Sequence, residues 1–142
     1  MMTVISPNKA RKIAQDILSL NDKKILSVSI RDWSGNSLAV NYTEAFRQRF
    51  RANRLVGSKY SGTLAIATLG VVNEVKDVFG KVQAIITIHE DCKLMLLPMP
   101  SYKILIGLVF ERLAVIEDYS LAYKIERILA ETVKSNDKSG DL

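Results

Sequence analysis

The segment Tyr102-Lys-Ile-Leu-Ile-Gly-Leu-Val-Phe110 carries apolar side chains at odd and even positions alike. A strand of that kind is buried on both faces, so it needs one layer of structure above it and another below. Two further strand patterns precede it, Val82 to His89 and Lys93 to Leu97, and before them a helical pattern runs from Thr63 to Phe79 and stops at Gly80. Leu64, Ala65, Ala67, Leu69, Val71, Val72, Val75, Val78 and Phe79 make that helix apolar nearly all round. Such a helix is covered on more than one side, and in a domain of this size a second subunit is the cheapest cover.

The first third of the chain supplies the remaining elements. Ser6-Pro7 is a helix start, a hydroxyl cap followed by a proline in the first turn. Ala10, Ile13, Ala14, Ile17 and Leu20 then form one apolar stripe, which Asn21-Asp22 ends. Ile25 to Arg31 alternates at period two, with Leu26, Val28 and Ile30 on one face and Ile25, Ser27, Ser29 and Arg31 on the other. Asp32-Trp33-Ser34-Gly35-Asn36 is a turn, and Ser37 to Tyr42 returns, so a β-hairpin is predicted. Thr43 caps a short helix with Phe46 and Phe50 four residues apart, and Gly57 to Gly62 reads as a flexible connection. A last helix starts at Asp118 or Ser120 and carries the stripe Leu121, Ile125, Ile128, Leu129 and Thr132, while the tail from residue 135 to 142 is polar and expected to be disordered.

A chain of 142 residues with 48% hydrophobic and 25% charged residues is one domain that buries a core without staples. Its single cysteine, Cys92, excludes an internal disulfide and any multi-cysteine metal cluster. The N-terminus lacks the pattern of a signal peptide, and no apolar run approaches the ~18 residues that cross a bilayer. A cytoplasmic setting is therefore expected. The net charge of +5 is concentrated: Arg47, Arg49, Arg51, Arg54 and Lys59 stand against Glu44 alone between residues 44 and 60. A patch of this kind suits an acidic protein, nucleic acid or an anionic surface, although the plainer reading is a solvated helix.

The order α-β-β-(insertion)-α-β-β-β-α resembles the roadblock/dynein-light-chain family, a relative of the profilin-like and longin folds. The likeness runs from about Ser6 to Lys134. It rests most on the strand-turn-strand-turn-strand run, with Pro98 and Pro100 closing the second strand and Tyr102 opening the third, and on the hairpin turn Trp33-Ser-Gly-Asn36. The chain is also similar to small archaeal proteins built on the same plan. The resemblance implies an α+β three-layer sandwich, a five-stranded, mainly antiparallel sheet between helices, in a single domain over residues 1–134. It implies a non-enzymatic homodimer pairing through the second long helix and the adjoining strand, and a protein partner such as a small GTPase or a signalling complex. The dimer interface is then expected at Leu64, Thr68, Val71, Val72, Val75, Ile85 and Thr87. The basic insertion at about 43–62 is longer than the family's usual one.

No catalytic constellation emerges. Gly57-Ser-Lys-Tyr-Ser-Gly62-Thr63 lacks the lysine that must follow the last glycine of a phosphate-binding loop, so no nucleotide cofactor is expected. His89-Glu90-Asp91-Cys92 gathers every common ligand type, but consecutive residues point in different directions, and a polar turn explains them better than a metal. His89 is the only histidine, and no nucleophile elbow occurs. The carboxylates Glu117-Asp118 at a helix start suit the helix dipole rather than acid-base work. Phe46, Phe50 and Tyr60 among the arginines could stack on bases, yet aromatic pairs at helical spacing usually pack. A small-ligand sensor with a pocket between layers is the third function class, after a protein adaptor and an anionic-surface binder.

Overall fold

The computed structural model describes residues 4–20, 24–50, 59–116 and 120–134, and along 59–66 it describes the backbone alone. Helix α1 spans Pro7–Leu18, with the extended Ser6 accepting a 3.2 Å hydrogen bond from the Lys9 backbone N–H. Its buried face is Ala10, Ile13, Ala14 and Ile17. The helix ends before Leu20, which still packs partly buried on the core; Asn21-Asp22 lies outside the described residues.

Strands β1 (Ile25–Asp32) and β2 (Ser37–Tyr42) form the expected hairpin. The Asp32 carboxylate closes its turn, accepting 2.9 Å bonds from the backbone N–H groups of Ser34 and Asn36, and Gly35 takes a φ of 92°. One detail departs from strict alternation. Ile25 joins the core with Val28 and Ile30 while Leu26 does not, because the register between β1 and its neighbour shifts between Ile25 and Ser27. An extra residue at such a bulge turns the side chains before it to the other face.

Helix α2 (Glu44–Arg49) is capped as expected: the Thr43 hydroxyl accepts from the Phe46 N–H at 3.1 Å and reaches the Leu26 carbonyl at 3.3 Å. Helix α3 covers Lys59–Phe79, so it begins four residues before the predicted Thr63, and the connection foreseen up to Gly62 is helical from Lys59. One interior glycine costs a helix about 1 kcal/mol, which the packing of a 21-residue helix outweighs. Strand β3 (Ile85–Ile88) is shorter than the predicted run from Val82. Extending its register with the next strand, Ile85 opposite Leu96, would set Gln83 against Pro98, which has no N–H to give.

Strand β4 (Cys92–Met99) runs through Pro98 instead of closing there. A 3-10 turn, Pro100–Tyr102, and a left-handed Lys103 (φ 52°) then precede β5 (Ile104–Glu111), so Tyr102 ends a turn and does not open the strand. Helix α4 covers Ser120–Lys134 and buries Leu121, Ile125, Leu129 and Thr132. Ser120 is its first helical residue, and Asp118 lies outside the described residues.

The five strands form one antiparallel sheet in the order β2-β1-β5-β4-β3. On one face, helices α1 and α4 pack together over Val28, Ile30, Met95, Leu97, Ile106 and Leu108. On the other, Leu96 and Leu105 are also buried, with Ile85 against them, and α3 meets the sheet at β4. The double-sided burial read from β5 is thus observed, and the layers are helices, sheet, helices. In the middle of β5, Gly107 permits a close approach, since a Cβ there would stand 2.8 Å from Ser29 Oγ.

Candidate docking surface on α3 and β3

The side chains of α3 divide into two faces. Thr68 and Val72 are buried and Leu69 and Val75 half-buried. Ala67, Gly70, Val71, Glu74 and Val78, spaced three or four residues apart, form the opposite and exposed face, with Val71 50% and Val78 73% exposed. Phe79, at the end of the helix, is 83% exposed. Strand β3 is the last strand on its side of the sheet, so its outer backbone groups have no neighbouring strand among the described residues. Ile88 beside that edge is 60% exposed. An exposed apolar helix face and an uncovered strand edge are each surfaces that recruit another chain.

The expected interface residues fall into three groups. Val71 points outward; Val75, Ile85 and Thr87 are half-buried; Thr68 and Val72 are buried within the chain itself. The Leu64 side chain lies outside the description. What periodicity alone missed is the exposed complement of Ala67, Gly70, Val78 and Phe79; an all-round apolar helix does not tell which side its own sheet takes.

Within the basic segment, Arg49 is already engaged by the chain itself. Arg49 Nη1 pairs with Glu111 Oε2 at 2.5 Å, Nη2 donates to the Asp91 carbonyl at 3.2 Å, and its guanidinium stands 5.6 Å from the Phe50 ring centre. Arg49 therefore ties α2 to the end of β5 and to the β3–β4 turn. Arg47 is exposed, Arg51 and Arg54 lie outside the described residues, and Lys59 is placed by its backbone only. Phe46 is buried, and Tyr42, Phe46 and Phe50 meet in sequence as tilted ring pairs with centres 5.8 and 4.9 Å apart. Those phenylalanines pack.

The other candidates resolve similarly. His89 Nε2 and Thr87 Oγ1 are 2.9 Å apart, the His89 N–H donates to the Cys92 carbonyl across the turn, and no group of three metal-ligating side chains occurs among the described residues. Burial, and secondarily Asp91, push the Cys92 thiol above its usual range, against a smaller opposing effect of Arg49. A neutral, covered thiol is a poor nucleophile. Two clefts of about 480 and 320 Å³ meet at Tyr102, one reaching Lys81 and Glu126 and the other Trp33 and Lys103.

Arg31 is the residue that alternation misjudges. Period two sets it on a polar face, yet it is only 6% exposed because that face is covered too. Nη1 donates to the Gly35 carbonyl at 2.8 Å, whereas Nη2 is buried without an acceptor among the described residues. Burial lowers its pKa, and the nearby Asp32 counters only in part.

No sequence-family model and no curated protein matches this chain. Solved structures do. Myxococcus xanthus MglB superposes with a TM-score of 0.61 at 14% identity, covering 98% of both chains. The gliding protein MglB from Thermus thermophilus gives 0.60 at 16% identity over 92% of this chain and 93% of its own. A Roadblock/LC7 domain from Streptomyces avermitilis gives 0.51 at 12% over 87% and 91%. The fold is that of the roadblock domain. Within this roadblock fold, α3 and β3 are the elements that the sequence reading assigned to pairing. Among the described residues, no helix of this chain is long and apolar enough to cross a membrane.

Proposed function

We propose that this chain is a non-catalytic, homodimeric adaptor or regulatory module that binds another protein, with a small GTPase as the partner class. The observation that carries the reading is the exposed apolar face of α3, together with the β3 edge that no strand covers among the described residues, on a roadblock fold. Burying Val71, Val78, Phe79 and Ile88 at ~25 cal/mol per Å² of apolar surface is a substantial driving force. A second copy supplies a matching surface by two-fold symmetry. The partner surface then lies on the faces that the dimer leaves free. Among the described residues the His89–Thr87 contact lies exposed on the surface and the Cys92 thiol is covered and held neutral, an arrangement that gives turnover little support.

Sedimentation equilibrium of the purified chain tests the first half; a folded monomer at tens of micromolar would refute it. Titration against small GTPases loaded with GDP or a GTP analogue tests the second. Binding that depends on the bound nucleotide is expected, and its absence across a representative set would remove the GTPase assignment while leaving the dimer.

A further inference from the structure

Arg31 closes the row Ser27, Ser29, Arg31 on the face of β1 turned away from α1 and α4. Its neighbours across the sheet are Leu105 on β5, which is buried with Leu96, and Ser37 on β2, which is exposed. The guanidinium reaches the hairpin turn, where Nη1 donates to the carbonyl of the half-exposed Gly35. It is therefore covered, yet it lies at the margin of the sheet beside solvent-facing chain. Nη2 is buried and has no acceptor among the described residues. Buried polar atoms in that state are rare in folded proteins, and a bound ion is one of the few things that account for them.

The chain itself has little with which to offset this charge. The adjacent carboxylate, Asp32, is occupied by the backbone N–H groups of Ser34 and Asn36 and by the Asn36 amide. The sequence holds no aspartate or glutamate between Glu44 and Glu74, so the insertion and the N-terminal part of α3 bring none. Glu74 and Asp77, further along that helix, are exposed. A neutral acceptor would satisfy the N–H but leave the charge uncompensated. An oxyanion does both. The guanidinium fork matches the paired oxygens of a carboxylate or phosphate, which a spherical halide cannot imitate. With Nη1 held by Gly35, the fork is already oriented, so little ordering is lost on binding.

We propose that Arg31 binds a small oxyanion through Nη2, a carboxylate or phosphate group taken up from solution at the hairpin end of the sheet. A ligand no larger than acetate or inorganic phosphate is required, because Nη2 is covered and only a slight opening beside the turn is needed to admit it. Binding neutralises the one buried guanidinium among the described residues and makes the stability of this end of the domain depend on anion concentration. The site is independent of the adaptor reading, and neither needs the other.

The test uses the full chain, melted at constant ionic strength in sodium chloride with sodium formate or inorganic phosphate replacing part of the chloride. Arg31→Met and Arg31→Lys are melted alongside, with circular dichroism to establish folding. Wild type should gain about 4 °C in Tm once the anion exceeds its Kd about tenfold. Arg31→Met should gain nothing comparable. Arg31→Lys keeps the charge without the fork and should lose the preference for oxyanions over chloride. In protein carrying isotope-labelled arginine, the Arg31 side-chain resonances, identified by their loss in Arg31→Met, should move saturably with the same anion. The formate and phosphate arms tell a carboxylate site from a phosphate site. An equal gain in wild type and Arg31→Met overturns the proposal, since it reports exclusion of salt from the whole surface. So does a wild type indifferent to both anions, or one stabilised with its Arg31 resonances unmoved.

Discussion

Replacing Arg31 by methionine should make this protein more stable. The guanidinium is buried, donates one bond from Nη1 to the Gly35 carbonyl, and has an Nη2 with no acceptor among the described residues. Asp32 is adjacent, but its carboxylate is engaged by the N–H groups of Ser34 and Asn36 and by the Asn36 amide. Among the described residues the charge is thus desolvated without a paired carboxylate. Exchanging buried ionic groups for apolar ones of similar volume is often neutral or stabilising, by about 1–4 kcal/mol. Against this stands the lost bond to Gly35, worth about 1.5–3 kcal/mol for a charged donor. That carbonyl belongs to a half-exposed hairpin turn, so water replaces most of the interaction. A net gain of about 1 kcal/mol follows, or about 3 °C in Tm for a chain of this length. Urea denaturation of Arg31→Met at fixed protein concentration measures it, with Arg31→Ala as the control that leaves a cavity and loses about 2 kcal/mol. A loss of more than about 1 kcal/mol in Arg31→Met would refute the reasoning, since it would mean that Nη2 is paired in solution.

Thr43→Ala removes the cap of α2 and its contact with the Leu26 carbonyl, and should cost about 1 kcal/mol in thermal melts. Val71→Glu and Val72→Glu are neighbours with opposite consequences. The exposed Val71 variant should stay folded and lose self-association in sedimentation, whereas a charge at the buried Val72 should lower the melting temperature sharply. Cys92 should react slowly with thiol reagents at mildly alkaline pH. Because its folded pKa is raised, the stability linked to it is full below the ordinary thiol range and declines as pH rises through and beyond that range. Cys92→Ala should flatten that alkaline decline in a series of urea melts. Breaking the half-exposed Arg49–Glu111 pair with Arg49→Gln should change stability by less than about 1 kcal/mol.

Much of the fold was legible because the signals were local. Ser6-Pro7, the Asp32 to Asn36 turn and the Thr43 cap each specify backbone geometry within a few residues, and the apolar stripes of α1 and α4 declare which sides are buried. The errors arose where distant chain segments decide. Whether β3 begins at Val82 or Ile85 depends on Pro98 in the opposing strand. Whether Ile25 faces the core depends on a register shift against β5, and the burial of Arg31 on the cover of a sheet face that alternation marked as polar. The docking surface was half-legible for a related reason. Hydrophobicity located α3, but only its seat against β4 separates Thr68 and Val72 from Val71 and Val78.

The two ends of the sheet are unequal, and this has a bearing on stoichiometry. β2 is paired to β1 with an irregularity between Ile30 and Arg31, and α1 packs against it, whereas β3 offers four plain residues. Bulged and covered edges resist the addition of strands. Two copies joined along β3 would therefore hide the receptive edge of each and present the guarded edge of β2 at both ends. In such a pair no end would be left from which a third chain could extend the sheet, so the same asymmetry would limit strand-to-strand joining to two copies.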